Sequence, residues 1–530
     1  ETRAEKELGS LQPKERRLPW INAPIHGRRA VAAGCGVVGL APDMDHPPED
    51  SLQPDSSPGT RPWLLWAAFW VAFGVALRLA LLGLAGESEL HHDEANYIYL
   101  ALGWSHFGVL QDAERYLWPP LWPWTLRQAL EGFGRHGLWV SKLCLVFTSA
   151  SVGASVVGLA ARLGDKRSGL VAGALWALYL PLAAYTHMGW AEPLFLVFFA
   201  PALYLLVAAE QDAGRSADRK LLAAGLCVGV ALLTKSSALF LLPILIAGLA
   251  LSRGRGAWRE GLRRAALLGL AIAVPLVPWT LRNAEVYGRF VPSGISLGAN
   301  AFNGLNAHDL NFDVLPLTRR PGKAPTLLGL SRPAFASRHP DEAWPTAAEI
   351  PNTADRNAEE WRRGLAWVRE HPFDFLRTRV KKLADFVAPT SYFVRHLGLR
   401  RYPGPLGKPF LRRVGTLWAM AAAALLMFLA LPGVRVAWRT GRRGTWVLLA
   451  CAVYFPATSL LVASSRFRVP WLPVLLVFCA LALGTRGAEG RLAGLGPGAG
   501  RRLVLAGWAL LLGLWWVDLP ELRLCLEAAW

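Results

Sequence analysis

Eleven stretches of this chain are apolar over roughly the length that a helix needs to cross a bilayer. No other feature restricts its fold as much. A hydrocarbon core about 30 Å thick takes about 20 residues of helix. Such runs lie near 63–84, 138–161, 168–185, 190–209, 220–235, 237–251, 264–281, 414–432, 445–463, 469–485 and 503–518. Lipid offers no partner for backbone N–H and C=O groups, so each run is expected as a helix. Runs 220–235 and 237–251 are almost continuous and read as a tight helical hairpin. A twelfth apolar patch, 116–131, holds three prolines and Arg127 and is expected as a helix lying on or dipping into the membrane interface. The expected fold is an all-α polytopic membrane protein of about 11 transmembrane helices. External juxtamembrane helices and an external, mainly helical cap complete it.

Charge orients the layout. Lys and Arg number 57 against 38 Asp and Glu, a formal net charge of +19 in a chain of which 53% is hydrophobic. On a soluble fold that excess would point to nucleic acid. Here it follows the positive-inside rule. With the N-terminus cytoplasmic, five cytoplasmic loops hold 19 basic residues, from Arg162 to Arg502, and six acidic ones. The short external links hold only Lys235, Arg466 and Arg468. The charge is therefore a topology signal, and nucleic acid is not an expected partner. Counting 116–131 as a span would invert the later loops and destroy the bias.

Five regions follow. Residues 1–61 are polar, with 8 basic and 9 acidic residues, and are expected to be poorly ordered. Met44 is the expected natural start, which N-terminal sequencing of the native protein would test. A membrane module spans 62–282 and includes an external loop at 87–136. A cap region spans 283–411, a second membrane module 412–518, and a short external tail 519–530. Within the cap, Thr353 to about Phe386 has the apolar periodicity of an amphipathic helix that Pro372 breaks in two. The six cysteines show no CxxC or zinc spacing, so neither a disulfide framework nor a structural metal is indicated.

The residues that carry chemistry are charges at the wrong depth. Asp93 and Glu94 open an amphipathic helix in the first external loop, and Glu192 opens the fourth span as Trp190-Ala-Glu-Pro193. Each is also a good helix N-terminal residue, which is the plain structural explanation. Both sites fall at the same membrane face, however, and so do four cations. Lys235 ends the fifth span, Arg282 the seventh, and Arg466 and Arg468 open the tenth. One such cation is an interfacial anchor. Four from three loops are expected to form a site for a lipid phosphate.

In order and topology these motifs resemble the GT-C glycosyltransferases, and within them the protein O-mannosyltransferase-like group (family 39) and the aminoarabinose transferases. The resemblance covers about 62–485. It rests on Asp93-Glu94, on Gly225 to Lys235 with Pro243, on Pro278-Trp-Thr-Leu-Arg-Asn283 followed by Tyr287-Gly288 and Gly298-Ala-Asn300, on Arg369-Glu-His-Pro372, and on Arg466-Phe-Arg-Val-Pro470. It implies an inverting enzyme that takes a sugar from a polyprenyl or dolichyl phosphate to a hydroxyl acceptor on a protein, lipid or glycan. The expected setting is the external face of a bacterial inner membrane. Asp93 is then the base, Glu94 or Glu192 a supporting group, and Lys235, Arg282, Arg466 and Arg468 the phosphate binders.

One departure is Trp118 before Pro119-Pro120-Leu121, where members often carry Lys or His. Members also differ in metal use. Here His91, His92 and His187 are the residues that would hold a divalent cation, and no cofactor is required by the pattern. The rival readings are a transporter or flippase of lipid-linked sugar and an O-antigen-ligase-like transferase. A transporter is expected to show inverted repeats and midplane charges, and the chain has neither.

Overall fold

The computed structural model describes residues 60–86, 93–110, 117–254, 257–298, 300, 345–461, 465–485 and 499–530. The expectations for 1–59, including Met44, and for His91 and His92 lie outside them. The described residues are helical almost throughout. The one β-type contact among them is an isolated antiparallel bridge between Leu117 and Ile295.

In chain order the helices are α1 (Thr60–Ala85), α2 (Asp93–Phe107), α3 (Leu121–Phe133), α4 (Gly137–Leu163), α5 (Lys166–Leu178), α6 (Leu180–Ala184), α7 (Ala191–Gln211), α8 (Gly214–Thr234), α9 (Leu242–Leu251) and α10 (Trp258–Tyr287). Then come α11 (Thr353–Glu370), α12 (Pro372–Val387), α13 (Tyr392–Gly398), α14 (Pro409–Thr440), α15 (Thr445–Ser459), α16 (Leu472–Gly484), α17 (Ala499–Val517) and α18 (Leu519–Ala529). The expected all-α, multi-pass architecture is borne out. The described parts of all eleven apolar runs are mainly helical, but not all have the length of a span. Among the described residues, seven helical runs are long and apolar enough to cross a membrane, or eight if the bent pair α5 and α6 counts as one. The runs at 236–251 and 445–459 are shorter, and α8 spends its first turns on Arg215, Asp218, Arg219 and Lys220.

The patch at 116–131 is helical as expected: α3 starts at Leu121 just after Pro119-Pro120 and folds back on α4 through a turn at Gly134, φ 53°. Proline at a helix start is no obstacle, because the first N–H groups have no intrahelical acceptor. The expected hairpin of 220–235 with 237–251 does not form. Lys235 adopts an extended backbone (φ −157°, ψ 131°), a 3-10 turn covers Ser236–Leu241, and α9 then packs chiefly on α10 and α15. In the cap, the break at Pro372 falls where the sequence puts it, between α11 and α12.

Packing follows from residue size. Gly225 and Gly229, four apart on α8, both face α10. A Cβ on Gly229 would lie 2.4 Å from Pro275 and 2.6 Å from the Ile272 carbonyl, and one on Gly225 2.5 Å from the Ala271 Cβ. Small residues at this spacing let two helix backbones approach in a membrane, where packing rather than hydrophobicity drives association. Helix α16 forms the centre of the bundle and is buried along nearly its whole length. At the periphery, Leu64, Leu65, Trp66 and Phe69 of α1 and Leu510, Leu512 and Trp516 of α17 are exposed. Such contiguous apolar faces suit lipid contact. One buried charge is matched by its opposite: Arg264 meets Glu210 at 3.0 Å, and Trp446 donates to Glu210 at 3.1 Å.

Candidate active site

Two helix N-termini converge on one guanidinium. Asp93 is the first residue of α2, and Glu192 stands in the first turn of α7, ahead of Pro193. A carboxylate in the first turn complements the exposed N–H groups there. Arg466, from the 3-10 turn Ser465–Trp471, pairs through Nη1 with Asp93 Oδ2 and through Nε with Glu192 Oε1. Its guanidinium carbon lies 4.4 Å from the Trp190 ring centroid, a stacking contact that fixes its plane. Lys235, in the extended link after α8, donates to the same Glu192 oxygen at 2.8 Å. The order of contacts is Asp93, Arg466, Glu192, Lys235. All four residues are buried or nearly so.

Three of these four residues form one wall of a cavity of about 820 Å³. Asp93, Lys235 and Arg466 line it, together with Tyr97, Trp118 and Phe467. Glu192 stands behind Lys235 and Arg466 and does not line it. Tyr97 lies one turn beyond Asp93 on α2 and packs on Trp118, ring centroids 4.9 Å apart. Burial holds the Tyr97 phenol well above the usual tyrosine range, against the opposing pull of Arg466, so it stays a neutral hydrogen-bonding group. The far wall comes from the segment after α10. Gly288 ends that helix in the left-handed conformation, φ 64°. Leu117 and Ile295 then exchange backbone hydrogen bonds of 3.0 and 2.9 Å, and Asn357 accepts from the Gly298 N–H at 2.6 Å. The strip 289–298 thereby joins the loop before α3 to the cap helix α11.

Of the residues singled out in the sequence, Asp93, Glu192, Lys235 and Arg466 come together. Glu94 is fully buried and points away from the cavity to Lys142, 2.5 Å off. Arg282 donates to the Leu110 carbonyl at 2.8 Å and to Asn283 at 3.0 Å, with Trp279 beneath it. Arg468 is buried and donates to the carbonyls of Phe386, Ala388 and Thr390, tying α12 and the link to α13 against the start of α16. Neither Arg282 nor Arg468 lines the cavity. His187 bonds the Tyr402 hydroxyl at 3.0 Å. Among the described residues no three His, Cys, Asp or Glu side chains gather as metal ligands would.

Sequence reasoning passed over Lys142, Arg289 and Arg395. Arg289 lines the cavity and pairs with Asp355 at 2.8 Å, and Arg395 lines it with its guanidinium carbon 3.7 Å from the Tyr392 ring centroid. Lys142 was legible: it is the charged residue inside the apolar run 138–161. Arg289 and Arg395 were not, because a long loop rich in Arg gives no sign of which ones face inward.

Comparison with known proteins bears on the domain that holds half of this site. Residues 118–279 match the family described as dolichyl-phosphate-mannose-protein mannosyltransferase. No curated protein sequence matches the chain. Among solved structures, the oligosaccharyltransferase of Archaeoglobus fulgidus in its apo form is similar with TM-score 0.46 and 13% identity, covering 88% of this chain and 56% of that one. The same enzyme with Zn and sulfate gives 0.45 and 14%, covering 88% and 52%. AglB from that organism, in complex with an inhibitory peptide and a dolichol-phosphate, gives 0.47 and 16%, covering 88% and 56%. The chain thus spans about half the length of these structures. The family match runs from α3 into α10, with Glu192 and Lys235 inside it, and falls on the group that the sequence motifs resemble. Over residues 118–279 this multi-pass membrane chain is thus similar to the family described as dolichyl-phosphate-mannose-protein mannosyltransferase.

Proposed function

We propose that the protein is an inverting glycosyltransferase that moves a sugar from a polyprenyl or dolichyl phosphate to a hydroxyl acceptor at the external membrane face. Asp93 is the base. The observation that carries this reading is the placement of a buried carboxylate and two cations, Asp93, Lys235 and Arg466, on one wall of a cavity large enough for a sugar phosphate. The family match over 118–279 supports it independently.

The charges suit the reaction. The acceptor oxygen forms a bond to the anomeric carbon, the bond from that carbon to the phosphate oxygen breaks, and its electron pair stays on the phosphate. The acceptor proton passes to Asp93. A sugar phosphodiester carries one negative charge and the departing phosphate monoester approaches two. Before reaction, Asp93 and Glu192 balance Lys235 and Arg466. When Asp93 takes the proton it no longer needs Arg466, and at that moment the phosphate gains its second charge. Arg466 can therefore transfer its interaction from the carboxylate to the leaving group without leaving a buried charge unmatched. Glu192 keeps Lys235 and Arg466 in place throughout. Arg282 and Arg468 hold the cavity's surroundings through backbone carbonyls rather than touching phosphate.

The test is direct. Purified protein is incubated with a panel of polyprenyl-phosphate-linked sugars and hydroxyl acceptors, and products are resolved by mass spectrometry and by NMR of the anomeric proton. The proposal expects a glycosylated acceptor with configuration opposite to the donor. Movement of intact donor across a vesicle membrane with no glycosylated product would contradict it.

A further inference from the structure

We infer that Lys142 and Glu94 are a positioning pair that sets the catalytic carboxylate, an inference that rests on Asp93 being the base. Asp93 and Glu94 are neighbours in the first turn of α2, yet their side chains part. One enters the cavity at Arg466, and the other turns back into the protein. Glu94 is fully buried, and Lys142, on the second turn of α4, lies 2.5 Å from it with 8% of its surface exposed. The surroundings fit that carboxylate closely. Gly189 has φ 62°, and a Cβ there would lie 2.4 Å from Glu94 Oε1. The Gly189 carbonyl also accepts from Trp122 of α3 at 3.0 Å, so the turn before α7 is held against α2 and α3 together. Burial and the nearby Glu94 charge both push the Tyr402 phenol upward, so that hydroxyl remains protonated beside His187.

The pair joins four parts of the fold at one point: the start of α2, α4, the turn at Gly189, and the Tyr402 loop. A helix's first turn has few backbone bonds of its own to hold it. The Glu94 anchor therefore fixes the azimuth of that turn and the direction of the Asp93 carboxylate. Nothing else in the site explains a lysine inside a membrane-length helix. It does not line the cavity that holds Asp93, and its charge meets Glu94 at 2.5 Å. Misplacing a reacting group by about 1 Å can cost roughly 100-fold in rate.

The experiment is steady-state transfer, with wild type and Asp93→Asn as references, on Lys142→Met, Lys142→Arg and the double variant Glu94→Gln/Lys142→Met. Lys142→Met is expected to lower kcat about 10- to 100-fold at unchanged donor KM, and Lys142→Arg to restore most of it. Lys142→Met removes a cation from beside a buried carboxylate and can fail to fold. The double variant removes both charges, so it is expected to keep the wild-type melting temperature within a few degrees while kcat stays low. A double variant with wild-type kcat would overturn the positioning role and leave only charge matching. An active Asp93→Asn enzyme would instead overturn the base assignment, so the two failures are separable.

Discussion

At the residue scale the site depends on one arginine serving two carboxylates. Arg466 holds Asp93 and Glu192 at once, with Lys235 sharing Glu192 from the other side. Hydrogen bonds to charged groups contribute about 1.5–3 kcal/mol each, so Arg466→Ala is expected to raise the donor KM roughly 10- to 100-fold. Arg466→Lys should recover part of that loss. A KM unchanged in Arg466→Ala, measured on folded protein, would separate this residue from phosphate. Arg468→Ala should act differently. It removes donors to three backbone carbonyls, so the melting temperature falls while the donor KM of the surviving enzyme holds. The two arginines are two positions apart in sequence and their roles were not separable there. What divides them is the 3-10 turn at Ser465–Trp471, which sends one side chain to the cavity and the other to the link after α12. Charged residues at membrane depth were legible as functional, since burial of an unmatched charge is costly. The direction of each side chain was not.

At the element scale the hydrophobic runs gave the helices, and backbone detail decided how they pair. The short link at Lys235 reads as a hairpin turn in sequence, yet the extended conformation of that residue sends α9 to α10 and α15. That same conformation places the Lys235 ammonium beside Glu192. The contact of α8 with α10 depends on Gly225 and Gly229, whose missing side chains leave room for Pro275 and the Ile272 carbonyl. Because Lys235 directly follows α8, its place in the site depends on that contact. Gly229→Leu is expected to destabilise the protein by a few kcal/mol, through overpacking of the kind that costs about 1–3 kcal/mol in a well-filled core. Thermal unfolding in detergent measures this. A variant as stable as wild type would show that the two helices do not need that closeness. Helix α1 offers a second case. Arg78 is buried in it, stacks 3.8 Å from the Trp176 ring centroid, and donates to the Gly74 and Trp176 carbonyls just before α5 bends. Composition alone could not say where that charge would be satisfied.

At the scale of the whole molecule, the excess of positive charge and the order of helices together predict an orientation. Single cysteines placed in a cysteine-free background report it. Lys166→Cys and Arg439→Cys, both at exposed positions, should resist a membrane-impermeant maleimide in intact cells. Phe290→Cys and Phe373→Cys, at sites 82% and 86% exposed, should be labelled. The reverse pattern would put the cavity on the cytoplasmic side and remove the external lipid-linked donor from consideration. The cavity itself joins what the sequence separates most widely, since Asp93 and Arg466 are 373 residues apart. The central claim is that Asp93 takes the acceptor proton there, and the most direct measurement is transfer by Asp93→Asn. The amide keeps the shape of the side chain and loses its basicity, so kcat should fall roughly 100- to 10,000-fold with donor binding and melting temperature near those of wild type. Transfer at the wild-type rate by that variant would contradict the account.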